Sequence, residues 1–351
     1  MILIISIPED EHAAAVLRRL NGIGAAATLL DLRRFPGELR LCMEYAAPGH
    51  QFKLKDHGQE IPLAECAVAW WRRPQAPELH SDLTAVVYQH FASGECGAAL
   101  SGLWLALEAF WVNEPTLDDR ASRKAYQLRI ARDIGFEIPT TLITNDPESA
   151  RAFVELQGPE KTVYKAFSAT LRAWRETRVL RPEEMTLMEN VRFAPVIFQE
   201  YIPADLDLRV TIVGDEIFPA AIHTGSSSYK ADFRMDMNTT LVESTKLPAE
   251  IHEKLLNFMR HLGLEYGAID MRLTPDGRYV FLEINPSGQW LFIEQRTGQP
   301  ITESFTSLLV DHDHQWKTHH AGERGKTFAL PRQLTQTEEN GSRLREPRSI
   351  L

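Results

Sequence analysis

Residues 267–290 read GAIDMRLTPDGRYVFLEINPSGQW. Two strand-type runs flank Thr274-Pro275-Asp276-Gly277, a turn sequence, and so predict a β-hairpin. Asp270 falls on the first strand. Glu283 and Asn285 fall on the second, two apart, so their side chains leave the same face. Pairing of the strands brings Asp270 towards them. Two carboxylates and an amide oxygen on one face form a hard-oxygen cluster. Such a cluster suits Mg²⁺ held together with nucleotide phosphates, because Mg²⁺ takes few protein ligands and completes its shell with water and phosphate oxygens. The plainer alternative is a hairpin carrying ordinary solvent-facing acids.

The chain has 351 residues, 44% hydrophobic and 25% charged, which is globular composition with room for two or three domains. A net charge of −10 argues against nucleic acid or an anionic membrane as partner. Cys42, Cys66 and Cys96 are widely spaced and show no zinc-ligand pattern, which predicts a reduced, cytoplasmic protein. MILIISIPED reads as a first strand rather than a signal peptide, having a short apolar run and no basic stretch before it. No apolar run approaches the roughly 20 residues needed to span a bilayer.

Along the chain the expected class is mixed α/β. Strands at Ile2–Ile7 and Ala27–Leu32 around a helix at Glu9–Leu20 predict an open parallel sheet with helices on its faces. Leu39–Tyr45 and Gln51–Leu54 read as a small antiparallel excursion, and Ala67–Trp71 as a further strand. Glu78–Phe110 reads as mostly helical with a break near Gly94 and Gly97. The first unit is expected to cover residues 1–115. The second, 116–194, opens with one helix at Asp118–Ile134 closed by Gly135 and continues with strands at Thr140–Ile143 and Thr162–Ala166. The third, 195–316, begins with the VIFQEYI strand at Val196 and ends beyond the hairpin. Residues 317–351, polar and poor in apolar side chains, read as a flexible tail.

Two lysines and one strand end add chemistry. Lys165 lies in the apolar run Val163-Tyr164-Lys165-Ala166-Phe167, and a buried ammonium needs an anionic partner, for which phosphate is suited. Lys124, on a helix, reads as a surface charge until context is supplied. Gln199-Glu200-Tyr201-Ile202 follows the apolar Val196-Ile197-Phe198 and runs into Pro203. It reads either as a hinge offering backbone and side-chain groups to an adenine and ribose, or as a strand end with a turn.

Lys124, Lys165, the 199–202 segment and the Asp270, Glu283, Asn285 set occur in the order of the ATP-grasp superfamily, and this chain resembles that superfamily over residues 112–290. The resemblance implies an ATP-grasp fold preceded by an N-terminal parallel-sheet pre-ATP-grasp domain. It also implies ATP-dependent carboxylate ligation through an acyl-phosphate. Lys124 and Lys165 would hold phosphates, and Gln199, Glu200, Tyr201 and Ile202, with Asp207, would line the nucleotide site. Asp270, Glu283 and Asn285 would hold Mg²⁺. Phosphoryl transfer needs mainly positioning and charge neutralisation, which this set supplies.

A narrower resemblance rests on Trp70-Trp71-Arg72-Arg73-Pro74, on Phe198–Pro203 followed by Asp207-Leu208-Arg209-Val210, on Asp232-Phe233-Arg234, and on Glu283–Trp290 continuing to Thr297–Ile301. Together these look like the graspetide synthetases, the microviridin-type ATP-grasp ligases that mature ribosomal peptides. That family joins Asp or Glu side chains of a precursor peptide to Thr, Ser or Lys side chains as ω-ester or ω-amide rings, and it suggests a homodimer. The chain departs modestly, with Phe233 where the family more often has Trp and Ser287-Gly288 where Asn-Gly is usual before Gln-Trp.

An acidic enzyme with a carboxylate-rich substrate needs local arginines, whose guanidinium fork holds a carboxylate in two hydrogen bonds. Arg209 is the first candidate, followed by Arg272 and Arg234, with Asp232 beside the last as a possible base. His223 and Glu200 are further base candidates, though each of the three reads first as structural or ligand-positioning. For Arg72 and Arg73 a structural ion pair at a domain boundary is an equal alternative. Glu183 and Glu184, before the hinge strand, are candidate contacts for a basic leader residue, or ordinary surface charge. Two other readings compete: an intermolecular ATP-grasp ligase adding an amino acid to a peptide or small acid, and a binding module without catalysis. Retention of both lysines and all three metal-type residues argues against the latter.

Overall fold

The structure, a computed structural model, describes residues 1–46, 49–167, 177–204, 206–224 and 240–320. Strand β1 (Ile2–Ile5) is wholly apolar and wholly buried, as an interior parallel strand must be. Helix α1 (Glu11–Gly22) follows. Its Asp10 cap accepts from the Ala13 N–H at 2.8 Å, and it buries Ala13, Val16 and Leu20 against the sheet. Strand β2 (Ala27–Leu30) then pairs in parallel with β1. Strands β3 (Leu39–Ala46), β4 (Gly49–Asp56) and β5 (Gln59–Ile61) form the antiparallel excursion as a separate meander. Strand β6 (Val68–Trp71) returns to β1.

The expected helix over Glu78–Phe110 is shorter and unbroken: α2 spans Val86–Ala106 and runs through Gly94 and Gly97. Each internal glycine costs about 1 kcal/mol relative to alanine, and burial of Cys96, Leu100, Leu103 and Trp104 offsets it. Phe110, placed in that helix by the sequence, belongs to β7 (Phe110–Val112), which completes a parallel sheet of order β2-β1-β6-β7. An apolar Phe-Trp-Val run finds more burial on the open edge of β6 than at a helix end.

The single helix expected at Asp118–Ile134 is two, α3 (Pro115–Ser122) and α4 (Lys124–Ile134), separated by Arg123 in an extended conformation. Gly135 closes α4 with φ 96°, as its position predicted. Strand β8 (Thr141–Thr144), helix α5 (Pro147–Gln157) and strands β9 (Thr162–Lys165), β10 (Arg178–Val179) and β11 (Val196–Glu200) make an antiparallel sheet of order β10-β9-β11-β8. The sequence assigned β11 to the start of the third unit. It instead lies between β8 and β9, because Ile197 and Phe198 are buried on opposite faces, a need that an interior position meets.

Strands β12 (Leu206–Val213), β13 (Glu216–His223) and β14 (Val242–Ser244), helix α6 (Ala249–Leu262), and strands β15 (Tyr266–Leu273) and β16 (Tyr279–Asn285) follow. The five strands form an antiparallel sheet of order β14-β13-β12-β15-β16. One of its faces packs on Leu255, Phe258, Met259 and Leu262 of α6. Helices α7 (Leu291–Thr297) and α8 (Ile301–His320) carry Ile293, Ile301, Phe305 and Leu309 into a core shared with the first sheet. Helix α8 continues past residue 316, where the tail was expected to begin. Lys317 pairs with Asp313 at 2.6 Å one turn back, and the rest of the tail, from residue 321, lies outside the described residues.

Gln127 of α4 fixes the outer edge of the hairpin. Its Nε2 donates to the Ala121 and Ile284 carbonyls at 2.6 and 2.8 Å, and its Oε1 accepts from the Ile284 N–H at 3.2 Å. Gln127→Leu strips both partners from a buried backbone unit and is expected to lower the urea-unfolding free energy by about 2–3 kcal/mol.

Candidate active site

The register of the hairpin sets the site. Asp270 stands directly opposite Glu283, and Ala268 opposite Asn285, with an irregularity between Asp270 and Met271 that leaves Leu282 as an extra residue. Bulges of this kind re-aim side chains locally. On the other side of β15, Arg209 lies opposite Asp270 and Asp207 opposite Arg272. A single row across β12, β15 and β16 therefore reads Arg209, Asp270, Glu283.

Every charge in this row is matched. Arg209 Nη1 donates to Asp270 Oδ1 at 2.8 Å, and its Nη2 to the Gln289 carbonyl at 3.0 Å. Lys124 Nζ lies 2.9 Å and Lys165 Nζ 3.9 Å from the same Glu283 Oε2. Lys124 is the first residue of α4 and Lys165 the last of β9, so one carboxylate ties the hairpin to two other elements. In the next row Arg272 Nε donates to Asp207 Oδ1 at 2.9 Å and Nη1 to the Ile202 carbonyl at 2.7 Å, while the guanidinium lies 5.3 Å from the Tyr201 ring centroid. The nearby Asp270 carboxylate holds the Arg209 guanidinium ionised against its burial.

A cleft of about 680 Å³ opens here, walled by Lys165, the 199–202 segment, Asp207, Asp270, Arg272 and Glu283. The structure thus brings together most of the residues singled out from sequence. Within the 199–202 segment some groups are already engaged. Gln199 Nε2 donates to Thr141 Oγ1 at 3.0 Å, the Glu200 carboxylate accepts from the Thr140 N–H and hydroxyl, and the Glu200 and Tyr201 N–H groups donate to the Thr140 and Lys161 carbonyls. Asn285 Oδ1 accepts from the Ser287 N–H at 3.0 Å. Among the described residues no three His, Cys, Asp or Glu converge as a metal cluster. The oxygen set is two carboxylates and an amide, which fits Mg²⁺ completed by phosphate rather than a metal held by protein alone.

Arg234 and Asp232, with Phe233, lie outside the described residues. His223 Nε2 meets Glu243 at 2.8 Å at the far end of β13. Glu183 and Glu184 sit on a 3-10 turn over Pro182–Phe193. Glu183 is exposed, whereas Glu184 accepts from the Arg181 N–H and the Tyr164 hydroxyl, which gives it a structural task.

Sequence reasoning missed the support beneath the site. Arg72 is fully buried and donates to the Ser287 and Gly288 carbonyls at 2.6 and 2.9 Å, pairs with Asp10 at 3.3 Å and lies 5.5 Å from the Trp290 ring centroid. The structural reading of Arg72 holds. Gly288 has no room for a side chain, since a Cβ there would come within 2.3 Å of the Ala268 Cβ and 2.9 Å of Arg209 Nη2. Asn113 joins the Tyr266 and Pro286 carbonyls through its amide nitrogen and accepts from the Glu265 and Tyr266 N–H groups. His12 Nε2 accepts from the Trp290 and Leu291 N–H groups at the start of α7. Burial, and then the Arg72 guanidinium, push His12 down to about 3, so it stays the neutral acceptor those amides require. Burial also pushes the Asp118 carboxyl up to about 6, with Ser287 Oγ at 3.4 Å. The Asn-Pro-Ser-Gly-Gln-Trp run and the Trp-Trp-Arg-Arg-Pro run were each visible in the sequence, but not that one clamps the other.

A ligase class follows from this arrangement: antiparallel sheets closing a cleft, two lysines, and an acid–acid–amide set on a hairpin. The family described as the MvdD pre-ATP grasp domain matches residues 1–119. The macrocyclase MdnC of Microcystis aeruginosa MRC, solved bound to its precursor peptide MdnA, is 32% identical over 88% of this chain and 99% of its own, with a TM-score of 0.78. The macrocyclase MdnB of the same organism is 30% identical over 88% and 98%, with a TM-score of 0.74. A RiPP-associated ATP-grasp ligase of Chryseobacterium gregarium, solved with ADP and a leader and core peptide, is 26% identical over 88% and 96%, with a TM-score of 0.79. The search of curated proteins gives no match. This chain belongs to the ATP-grasp macrocyclases of ribosomal peptides, the graspetide synthetases. Among the described residues no helix is long and apolar enough to cross a membrane.

The state of His12 has a measurable consequence. An unfolded histidine takes its proton near pH 6.5, and folded His12 only near 3, so the unfolded state binds more protons between those values and stability falls as pH drops through them. His12→Gln keeps an acceptor without titrating. It is expected to flatten the acid decline in unfolding free energy through that window, by at most about 1.4 kcal/mol per pH unit.

Proposed function

We propose that this protein closes rings within a ribosomally made precursor peptide, joining Asp or Glu side chains to Thr or Ser as esters or to Lys as amides, with ATP consumed and Mg²⁺ required. The observation that carries this reading is the Glu283 carboxylate shared by Lys124 and Lys165 beside Asp270 and Asn285. Lys124 and Lys165 would hold phosphates, the 199–202 segment with Asp207 the base and ribose, and Asp270, Glu283 and Asn285 the metal. Bound Mg²⁺ would neutralise phosphate charge. The chain's own part is positional: two ammonium groups and a rigid hairpin orient a phosphoryl donor towards a carboxylate.

The carboxylate oxygen attacks the terminal phosphorus of ATP and ADP leaves. A hydroxyl or amine of the same peptide then attacks the acyl carbon and releases inorganic phosphate. The solved relatives bound to precursor, leader or core peptides support a peptide as the substrate.

Incubation of the protein with its precursor peptide, ATP and Mg²⁺ is expected to yield a product lighter by one water per ring, read by intact mass. Glu283→Gln is expected to slow ring formation by at least about a hundredfold. A peptide that gains the mass of an added amino acid instead would establish the intermolecular ligase.

A further inference from the structure

Ring closure onto a Thr or Ser hydroxyl asks for a base, because a neutral alcohol is a weak nucleophile until its proton is drawn off. The base candidates read from sequence are engaged elsewhere. His223 pairs with Glu243, and the Glu200 carboxylate accepts from Thr140. Asp232 lies outside the described residues. His12, beside the loop after Asn285, has spent its acceptor nitrogen on two backbone amides. The acids around that loop and the hairpin, Asp270, Glu283, Asp207 and Asp10, are each paired with a cation.

Asp118 differs from all of these. It lies on α3, faces the loop that follows Asn285, and has no cation within ion-pair distance among the described residues. Its partner is a hydroxyl. Ser287 Oγ donates to Asp118 Oδ2 at 3.4 Å, longer than a usual O–H···O bond and so readily exchanged. A serine hydroxyl resting on a carboxylate is the arrangement that a Thr or Ser of a peptide would reproduce, and Asp118 keeps partial exposure. Ser287 also links Asp118 to the proposed metal set, since its N–H donates to Asn285 Oδ1 at 3.0 Å. The Ser287 carbonyl is fixed by Arg72 and Arg73 at 2.6 and 3.0 Å, so the loop holds its place beside the carboxylate.

The charge around Asp118 suits the task. Burial lifts its carboxyl to about 6 against the pull of Asn113, Ser287 and Arg72, and Asp119 on the same helix adds to the lift. On the elements packed against α3, Lys124 of α4 and Glu283 of β16 pair with each other. A carboxylate in this setting is ionised at neutral pH yet basic enough to accept a proton.

Resting on the function proposed above, we infer that Asp118 is the general base of ring closure and takes the proton of the substrate hydroxyl as that oxygen attacks the acyl-phosphate. The bond from oxygen to the acyl carbon forms, the bond from that carbon to the phosphate oxygen breaks, and phosphate leaves with the electron pair. Asp118 then gives the proton to the departing phosphate and returns to its ionised state. The earlier step, attack of a carboxylate on ATP, needs no base and does not involve Asp118.

The test separates the two steps in Asp118→Asn, with a precursor carrying a Thr- and Glu-rich core, ATP and Mg²⁺. Ring closure is read as loss of water by intact mass. The acyl-phosphate is read by trapping with hydroxylamine, a free amine that attacks without a base and leaves a hydroxamate on the peptide. D118N is expected to close rings at least about a hundredfold more slowly than wild type while forming hydroxamate within about threefold of it. Wild-type ring closure should fall as pH drops through about 6, and the residual rate of D118N should lack that fall. Equal slowing of both reactions in D118N marks Asp118 as structural and overturns the inference. Ring closure by D118N at the wild-type rate, or the same separation of steps in Asp232→Asn instead, overturns it as well. Wild-type protein that yields neither rings nor hydroxamate overturns the functional reading rather than the role of Asp118.

Discussion

One carboxylate, Glu283, sits at the meeting point of the molecule. It lies on the edge strand of the third sheet and is held at 2.9 Å by the first residue of α4 and at 3.9 Å by the last residue of β9. Both lysines and the acid are about four-fifths buried, and burying any one of them alone would be strongly unfavourable. Their mutual pairing makes the arrangement stable before any ligand arrives. On the function proposed above, the same pairing defines what a ligand must do: phosphate would compete for the lysines and metal for the acid. A nucleotide and its cation together would exchange these partners with little change in net charge, whereas either alone would leave a buried charge uncompensated.

The frame around Glu283 is rigid for identifiable reasons. Gln127 occupies the free edge of the hairpin, Asn113 ties its first strand to the loop beyond Asn285, and Arg72 holds that loop from the first sheet. His12 finishes the clamp as a neutral acceptor at the start of α7. Positions 12 and 127, on α1 and α4, and 72 and 113, directly after β6 and β7, all converge on residues 265–291. The N-terminal parallel sheet therefore acts as a brace for the loop that follows the proposed metal residues.

Much of this was legible in the sequence because the signals were local. Turn residues between two apolar runs located the hairpin, and side-chain alternation placed Asp270, Glu283 and Asn285 on one face. Gly135 marked a helix end, and the order of the lysines and acids pointed to the fold. The parts that were not legible depend on distance in the chain. Nothing near Arg72 signals that its partner is the carbonyl of residue 287. His12 sits in an ordinary amphipathic helix, and its role exists only once α7 begins beside it. The strand at Val196–Glu200 reads the same whether it opens one sheet or sits within another, since both require apolar residues. Arg209 was read as an open cation because its partner Asp270 lies across the sheet, a contact that register alone creates.

The exchange at Glu283 is the claim on which the account stands, and calorimetric titration of ADP with and without Mg²⁺ tests it most directly. Wild-type protein should bind ADP much more tightly with Mg²⁺ than without, and this difference should vanish in the Glu283→Gln variant, whose lysines no longer need to surrender a carboxylate. An equal effect of Mg²⁺ on ADP affinity in both proteins would contradict the account.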